Sequence, residues 1–339
     1  MPNWDIGLDI GSDGLRLCLP GHGVMERAPG VAIVRKTDGL LLAVGEDAHA
    51  MLGRTSAAFK PLRPVEAGIV QHQGALEAML TAYITKYLPG ARKLRALVAV
   101  NPCLRPADRR ALAAAILAAG ATECTLIPAP PMMLAGAGED ISSARTALVV
   151  DVGASQMSAS LVCMGRVIAC HGAPLGSEDI DAEIIRQALS AHRLVIGPHT
   201  AQDIKLTLAG GSAGAELPPM KITGRALASG LPETVEVNTA LAKSAAEALI
   251  ARLKALIGRI VADMGPQHAA DVITTGGLLT GGGALLAGLP AQLGEGLPFS
   301  FRAATDPDGC VIRGLAAHMN TTNRMLLSGA ETIKPGEPT

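Results

Sequence analysis

With 339 residues, 49% of them hydrophobic and only 17% charged, the chain is long enough for two medium-sized domains with large buried cores. A net charge of -1 and an aromatic content of 2% argue against a nucleic-acid binder, which needs phosphate neutralisation and stacking platforms. The six cysteines, at 18, 103, 124, 163, 170 and 310, form no Cys-x-x-Cys pair, so they read as buried reduced thiols of a cytosolic protein rather than a metal or redox site. The eight histidines lack ligand spacing. No signal peptide is expected, because Trp4–Ile10 already has the look of a core strand. The apolar stretch Ala111–Gly138 is cut by Glu123, Pro128, Pro130 and Pro131, whereas a membrane span needs ~20 uninterrupted apolar residues.

In chain order, Ile6–Ile10, Leu15–Leu19, Val31–Val34 and Leu40–Val44 are predicted strands joined by glycine-rich turns. Gly45 opens a short helix toward Leu52, and Gly74–Leu88 carries apolar residues at helical spacing. Leu97–Val100 is a strand stopped by Pro102. A helix runs from Pro106 to Ala119 and ends at Gly120. Cys124–Ile127 is a strand, with a helix beginning near Pro130. The second half repeats the logic: strands Ala147–Asp151, Met157–Val162 and Val167–His171, then helices Glu178–Leu189 and Thr200–Leu208. Strands Met220–Thr223 and Thr234–Val237 precede a long helix from Thr239 to about Met264. A strand at Asp271–Thr274, a helix at Gly283–Leu289 and a closing helix at Asp308–Met319 complete the pattern, and a loose tail follows Asn320.

The order βββ-α-β-α thus occurs twice, which describes an α/β protein of the actin-type ATPase architecture (duplicated, ribonuclease-H-like halves). The expected halves are 1–145, with a small insertion at about 34–65, and 146–319, with one at about 182–238. Three glycine-bearing turns sit at the matching places: Asp9-Ile10-Gly11-Ser12-Asp13-Gly14, Asp151-Val152-Gly153-Ala154-Ser155, and Thr280-Gly281-Gly282-Gly283-Ala284-Leu285. In the first two an Asp ends a strand, where it can hold Mg²⁺ through water while the next backbone N–H groups face phosphate. The third reads as a helix opening that a phosphate or a flat ring can approach closely.

The segments "AVGEDAHAMLGRT" (Ala43–Thr55), "KPLRP" (Lys60–Pro64), "DRRALAAAILAAGA" (Asp108–Ala121), "GSEDIDAEII" (Gly176–Ile185), "IGPHTAQDIK" (Ile196–Lys205), "GRALASGLPETVEV" (Gly224–Val237), "TGGGALLAGL" (Thr280–Leu289) and "DPDGCVIRGLA" (Asp306–Ala316) carry a resemblance over residues 5 to 319. In that order they resemble MreB, the bacterial actin that organises cell-wall synthesis in rods. The resemblance implies four subdomains around a cleft for ATP or ADP with Mg²⁺, and head-to-tail protofilaments. It also implies a cytoplasmic location at the inner face of the membrane and coupling to wall-synthesis membrane proteins. Carried over residue by residue, it places Asp9 and Asp151 near metal and phosphates, with Gly11 and Gly153 as the backbone-permissive positions of the two turns. Ser12, Asp13, Ala154 and Ser155 complete those turns. Thr280, Gly281, Gly282, Gly283 and Ala284 form the nucleoside floor, and Gly176 and Asp181 bracket the ribose-side turn. The helix bearing Asp203 and Lys205 flanks adenine and ribose, unless it is simply a solvated charged face.

The departures from the family pattern are specific. The usual first turn, Asp-Leu-Gly-Thr-x-Asn-Thr, has lost its Asn to Gly14 and its last hydroxyl to Leu15, and it has gained the acid Asp13. That carboxylate opposes phosphate binding unless a cation offsets it. The usual second turn, Asp-Ile-Gly-Gly-Gly-Thr-Thr, is replaced after Gly153 by Ala154-Ser155-Gln156-Met157. Where the family has Glu-Glu-Pro, whose first Glu positions the attacking water, this chain has Pro128-Ala129-Pro130. Neither Pro nor Ala orients water, so slow or absent hydrolysis is expected unless Asp13, His72 or Gln156 compensates. Lys86-Tyr87-Leu88 with Arg92, Lys93 and Arg95 is a basic-apolar loop that either touches an anionic leaflet or is merely solvated. A non-polymerising pseudo-ATPase scaffold or regulator is the alternative function, and an active phosphotransferase a more distant one.

Overall fold

The computed structural model describes residues 4–91, 93–209, 219–237, 240–320 and 329–335. Its first sheet has six strands, in the spatial order Glu331–Ile333, Ala121–Pro128, Leu94–Val100, Ile6–Ile10, Gly14–Leu19, Gly23–Pro29. The second has five, in the order Arg166–Ala173, Met157–Cys163, Ala147–Val152, Gly277–Thr280, Phe301–Ala303. The chain folds as two compact units. One comprises Met1–Val149, Ser160–Cys170 and Asp308–Thr339; the other comprises Val150–Ala159 and His171–Pro307.

In the first unit, Ile6–Ile10 pairs antiparallel with Gly14–Leu19 and parallel with Leu94–Val100. Alternate residues of a strand face opposite sides. Ile6, Leu8 and Ile10 therefore join Leu15, Leu17, Leu76, Leu80 and Ile116 in one continuous core, under helices Gln73–Tyr87 and Pro106–Ala118. The opposite face receives the helix Cys310–Asn320. A Cβ on Gly7 would overlap the Cys18 sulfur and lie 2.9 Å from that of Met319, so only glycine lets this helix sit so close. The same helix crosses Ala129–Gly136 with backbones in contact. A Cβ on Gly136 would overlap the Cys310 carbonyl, and one on Gly314 the Met132 carbonyl. Two small sheets complete the unit: Leu41–Val44, Ala32–Arg35 and Phe59–Leu62 in that order, and Val65–Glu66 with Ile69–Val70.

The second unit contains the helices Ser177–His192, Pro198–Ala209, Ala240–Asp263 and Pro266–Thr275. Its three-stranded antiparallel sheet is built from Leu194–Val195, Met220–Ala226 and Pro232–Val237. Gly277–Thr280 pairs in parallel with Phe301–Ala303.

Several elements differ from the sequence expectation. The expected strand Asp271–Thr274 lies inside the helix Pro266–Thr275, where Pro at the first helical position after Gly265 outweighs the β-branched pair Val272-Ile273. The expected helix Gly283–Leu289 is a single 3-10 turn, Gly282–Leu285. The third strand of the first sheet is Gly23–Pro29, an edge strand in which Val24 and Met25 are adjacent and both exposed, so no apolar–polar alternation marks it. The closing helix, expected with the second half, packs in the first unit. Within the expected loose tail, Glu331–Ile333 pairs antiparallel with Ala121–Pro128.

Candidate functional site

The two acidic turns lie one in each unit. In the first unit the turn closes with the Gly11 N–H donating to the Gly14 carbonyl at 2.9 Å, which sets Asp9 opposite Arg16 in the antiparallel register. Strand alternation puts Asp9 on the face of Gly7, toward the start of the closing helix, where Asp308 stands. Arg16 donates to Asp9 at 3.4 Å and to Asp308 at 2.5 Å. Arg27 donates to the second oxygen of Asp308 at 2.9 Å and also pairs with Asp13. Two guanidiniums thus link three carboxylates. The Arg16 side chain is only 10% exposed and that of Asp9 17%. Burial pushes the Asp9 carboxyl above the ordinary carboxylate value; Arg16 pulls it down and Asp308 pushes it up.

This arrangement answers the question raised by Asp13, whose charge Arg27 offsets from within the chain. It also sets a limit on a metal. The Asp9 carboxylate already faces a fixed cation, so the first turn does not fit a Mg²⁺ held by Asp9. Ser12 is buried, and its Oγ accepts the Ala67 N–H at 3.1 Å, which ties the turn to the neighbouring small sheet. Gly11 is not at positive φ, and a Cβ there would have ordinary contacts. The backbone-dependent glycines are Gly14, whose Cβ would overlap the Ala28 carbonyl, and Gly30, whose Cβ would lie 2.7 Å from the Ser12 carbonyl.

In the second unit the Gly153 N–H donates to the Gln156 carbonyl at 2.9 Å. Gly153 is likewise not at positive φ. The helix Ser177–His192 begins directly on this turn. The Ser177 N–H donates to the Gly153 carbonyl and the Glu178 N–H to the Ala154 carbonyl, each at 2.9 Å. Gly176 has no room for a Cβ against the Ala154 carbonyl. Asp179 accepts the Gly176 N–H at 2.7 Å. These bonds use donors that a helix start otherwise offers to an anion, and the turn residues Ala154, Ser155 and Gln156 beside them are half-buried.

Asp151 is half-buried, and one of its oxygens accepts the hydroxyl of the fully buried Thr280 at 3.1 Å. Gly281 follows at φ 79°, where a Cβ would lie 2.7 Å from Asp151 Oδ1. A Cβ on Gly283 would overlap Val152. Gly281 and Gly283 are thus required by packing on the Asp151-Val152 strand end, while Gly282 is exposed and Ala284 buried. The bond from Thr280 fixes the orientation of the Asp151 carboxylate at the strand end.

Lys205 is not on a solvated face. It donates to Asp181 at 2.6 Å and to the Ser177 carbonyl at 3.1 Å, with both side chains at 15% exposure or less. Asp203 of the same helix is exposed. Pro128 ends the Ala121–Pro128 strand and stands as N-cap of Ala129–Gly136, a strand-to-helix junction with no side chain to hold water. In the basic loop, Lys86 and Tyr87 both bind Glu26, and Arg95 pairs with Asp5, which favours the solvated reading. Arg92 lies outside the described residues. Among these residues no helix is long and apolar enough to cross a membrane.

Sequence reasoning missed Arg16, Arg27 and Asp308. The register of a tight hairpin after Asp9 is enough to find Arg16, but Asp308 is 292 residues from it and carries no local signal.

The family model for MreB/Mbl protein matches residues 3–326. The chain belongs to the MreB/Mbl family. It is 30% identical to the cell shape-determining protein Mbl of Bacillus subtilis over 323 residues, covering 95% of this chain and 97% of that one. It is 29% identical to the cell shape-determining protein MreB of Escherichia coli, with 91% of each chain covered. Among solved structures, MreB 5 of Spiroplasma citri bound to AMPPNP superposes with a TM-score of 0.85 at 22% identity, covering 92% of this chain and 94% of that one. The MamK double helical filament gives a TM-score of 0.76 at 18% identity, covering 92% of this chain and 97% of that one. The fold of this MreB/Mbl-family chain is therefore actin-like.

Proposed function

We propose that this MreB/Mbl-family chain is a nucleotide-binding cytoskeletal protein that forms filaments and acts in cell-shape determination, with weak or lost hydrolysis. The observation that carries this reading is the second-unit turn. There Asp151 stands at a strand end, oriented by Thr280, in a chain whose fold matches a structure bound to AMPPNP. The relatives named for cell shape and the MamK filament support shape determination and self-association. ATP or ADP is the expected nucleotide, with Asp151 the metal-side acid through water; Mg²⁺ bound there would screen charge on the phosphates. Ser155 and the turn backbone would face the phosphates, and the Thr280–Ala284 segment the nucleoside. Pro128 leaves the attacking water without an acceptor, which is why turnover is slow in this reading.

The division into two halves with small insertions at about 34–65 and 182–238, head-to-tail protofilaments, and contact with the inner membrane face and wall-synthesis membrane proteins belong to the same proposal. Titration of a fluorescent ATP analogue, followed by pelleting and electron microscopy with ATP, ADP or no nucleotide, tests it. Binding with filaments is expected; a strictly monomeric protein in all three conditions refutes the filament reading. Liposome flotation tests the membrane part. One observation favours a second reading, a non-polymerising scaffold: the Asp9–Arg16–Asp308 network already balances charge at the first turn. Filament formation separates the two.

A further inference from the structure

The first unit contains a cysteine pair that the chemistry above does not use. Cys103 lies in the loop between the strand Leu94–Val100 and the helix Pro106–Ala118, and it is exposed. Cys170, half-buried, lies in the strand Arg166–Ala173. They are 67 residues apart in sequence, yet their sulfurs stand 2.7 Å from one another. Asn101 holds the loop in place by accepting the Cys103 N–H at 2.9 Å, and its side-chain oxygen also lies 4.0 Å from the Cys170 sulfur. Pro102 and Cys170 line a cavity of about 360 Å³ whose walls include Val100, Leu126 and Pro128.

Paired thiols are open to two chemistries, metal binding and disulfide formation. Two thiolates on a tetrahedral zinc need two further ligands. A disulfide needs about 2.05 Å, which a small side-chain adjustment reaches. Among the described residues no group of three His, Cys, Asp or Glu side chains is arranged to hold a metal. Three of the other four cysteines are enclosed, while Cys163 is half-buried. Cys18 and Cys124 are buried, and burial pushes both thiols up to about 12; Cys310 is buried as well.

We propose that Cys103 and Cys170 are a modification site, a reversible disulfide formed by a small oxidant such as hydrogen peroxide. The exposed Cys103 thiolate attacks one peroxide oxygen. An S–O bond forms, the O–O bond breaks, and the departing hydroxide takes a proton to become water. The Cys170 thiolate then attacks the Cys103 sulfur of this sulfenic acid. The S–S bond forms, the S–O bond breaks, and the second hydroxide leaves as water after protonation. Overall two thiols and one peroxide give one disulfide and two waters. The two sulfurs together lose two electrons and the peroxide gains two. The bond fastens the Pro102–Cys103 loop to the Arg166–Ala173 strand along one wall of the cavity, and a dithiol reverses it.

The test uses the full purified chain treated with stoichiometric hydrogen peroxide, then alkylated, digested and analysed by mass spectrometry. The expected result is a Cys103–Cys170 cross-linked peptide, a loss of two titratable thiols, and reversal by dithiothreitol. Because the cross-link closes a long loop, the oxidised protein melts at least about 5 °C higher than the reduced one. Cys103→Ser and Cys170→Ser each abolish the cross-link and the shift, and in Cys170→Ser the unresolved Cys103 sulfenic acid is trapped by a sulfenic-acid probe after peroxide treatment. Cys103→Ala, at an exposed position, guards against a folding artefact. A cross-link to Cys163, a cross-link between two chains, or independent over-oxidation of both sulfurs overturns the proposal. None of these outcomes depends on nucleotide binding.

Discussion

Replacing Arg16 with Met removes the cation that bridges Asp9 and Asp308 while keeping much of the side-chain volume. Both acids stay behind: Asp9 at 17% exposure and Asp308 at 28%, the latter still joined to Arg27. Removing one partner of a fully buried pair costs about 3–5 kcal/mol; the partial exposure here and the surviving Arg27 bring the expectation to about 2–3 kcal/mol at neutral pH. The pH dependence has a definite sign. Burial already holds the Asp9 carboxyl above its unfolded value of 3.8, and Arg16 is the group that pulls it down, so the variant holds it higher still. A group whose folded value is raised binds its proton first in the folded state. It therefore costs stability above that folded value, and the cost is relieved as pH falls toward 3.8. The deficit of Arg16→Met relative to the parent is therefore largest at neutral pH and shrinks on acidification. Urea denaturation of both proteins at several pH values measures it. A deficit under about 0.5 kcal/mol at neutral pH, or one that grows on acidification, refutes the reasoning.

Gly136→Ala drives a methyl into the Cys310 carbonyl and separates two packed helices, so a loss of about 3 kcal/mol is expected in the same denaturation assay. Lys205→Met leaves Asp181 facing no ammonium at 15% exposure; a loss of about 2–3 kcal/mol is expected, and Lys205→Arg should recover part of it. If the nucleotide reading holds, Pro128→Glu restores an acceptor at a junction whose φ of −60° and ψ of 131° suit any residue. Phosphate release should then rise about tenfold or more, and an unchanged rate would place the missing catalytic function elsewhere. Thr280→Val removes the donor that orients Asp151 and should weaken binding of a Mg-nucleotide about tenfold while leaving the far-ultraviolet spectrum intact.

The order of elements was legible because local signals agree with the tertiary fold in most of the chain. Ile6–Ile10 is an apolar run before a glycine turn, and Pro106 opens a helix at its first position; neither needs a distant partner to be recognised. The positions of Asp9 and Asp151 at strand ends came from the chain read alone, whereas the significance of Pro128 rests on the family resemblance. Segments whose local preference conflicts with their packing were not legible. Val272-Ile273 favours a strand but lies within a helix, and Gly23–Pro29 is an edge strand with little apolar pattern.

What the linear order could not supply is which distant side chains meet. The glycines of the third run answer to a strand end about 130 residues earlier, where Thr280 meets Asp151. Arg16 meets Asp308 only because Gly7 leaves room for the closing helix against the first sheet. Cys103 and Cys170, which composition marked as inert, stand side by side only through the tertiary fold. Periodicity and turn chemistry are properties of neighbours in sequence, whereas charge balance, steric room and thiol proximity depend on contacts between residues far apart in the chain.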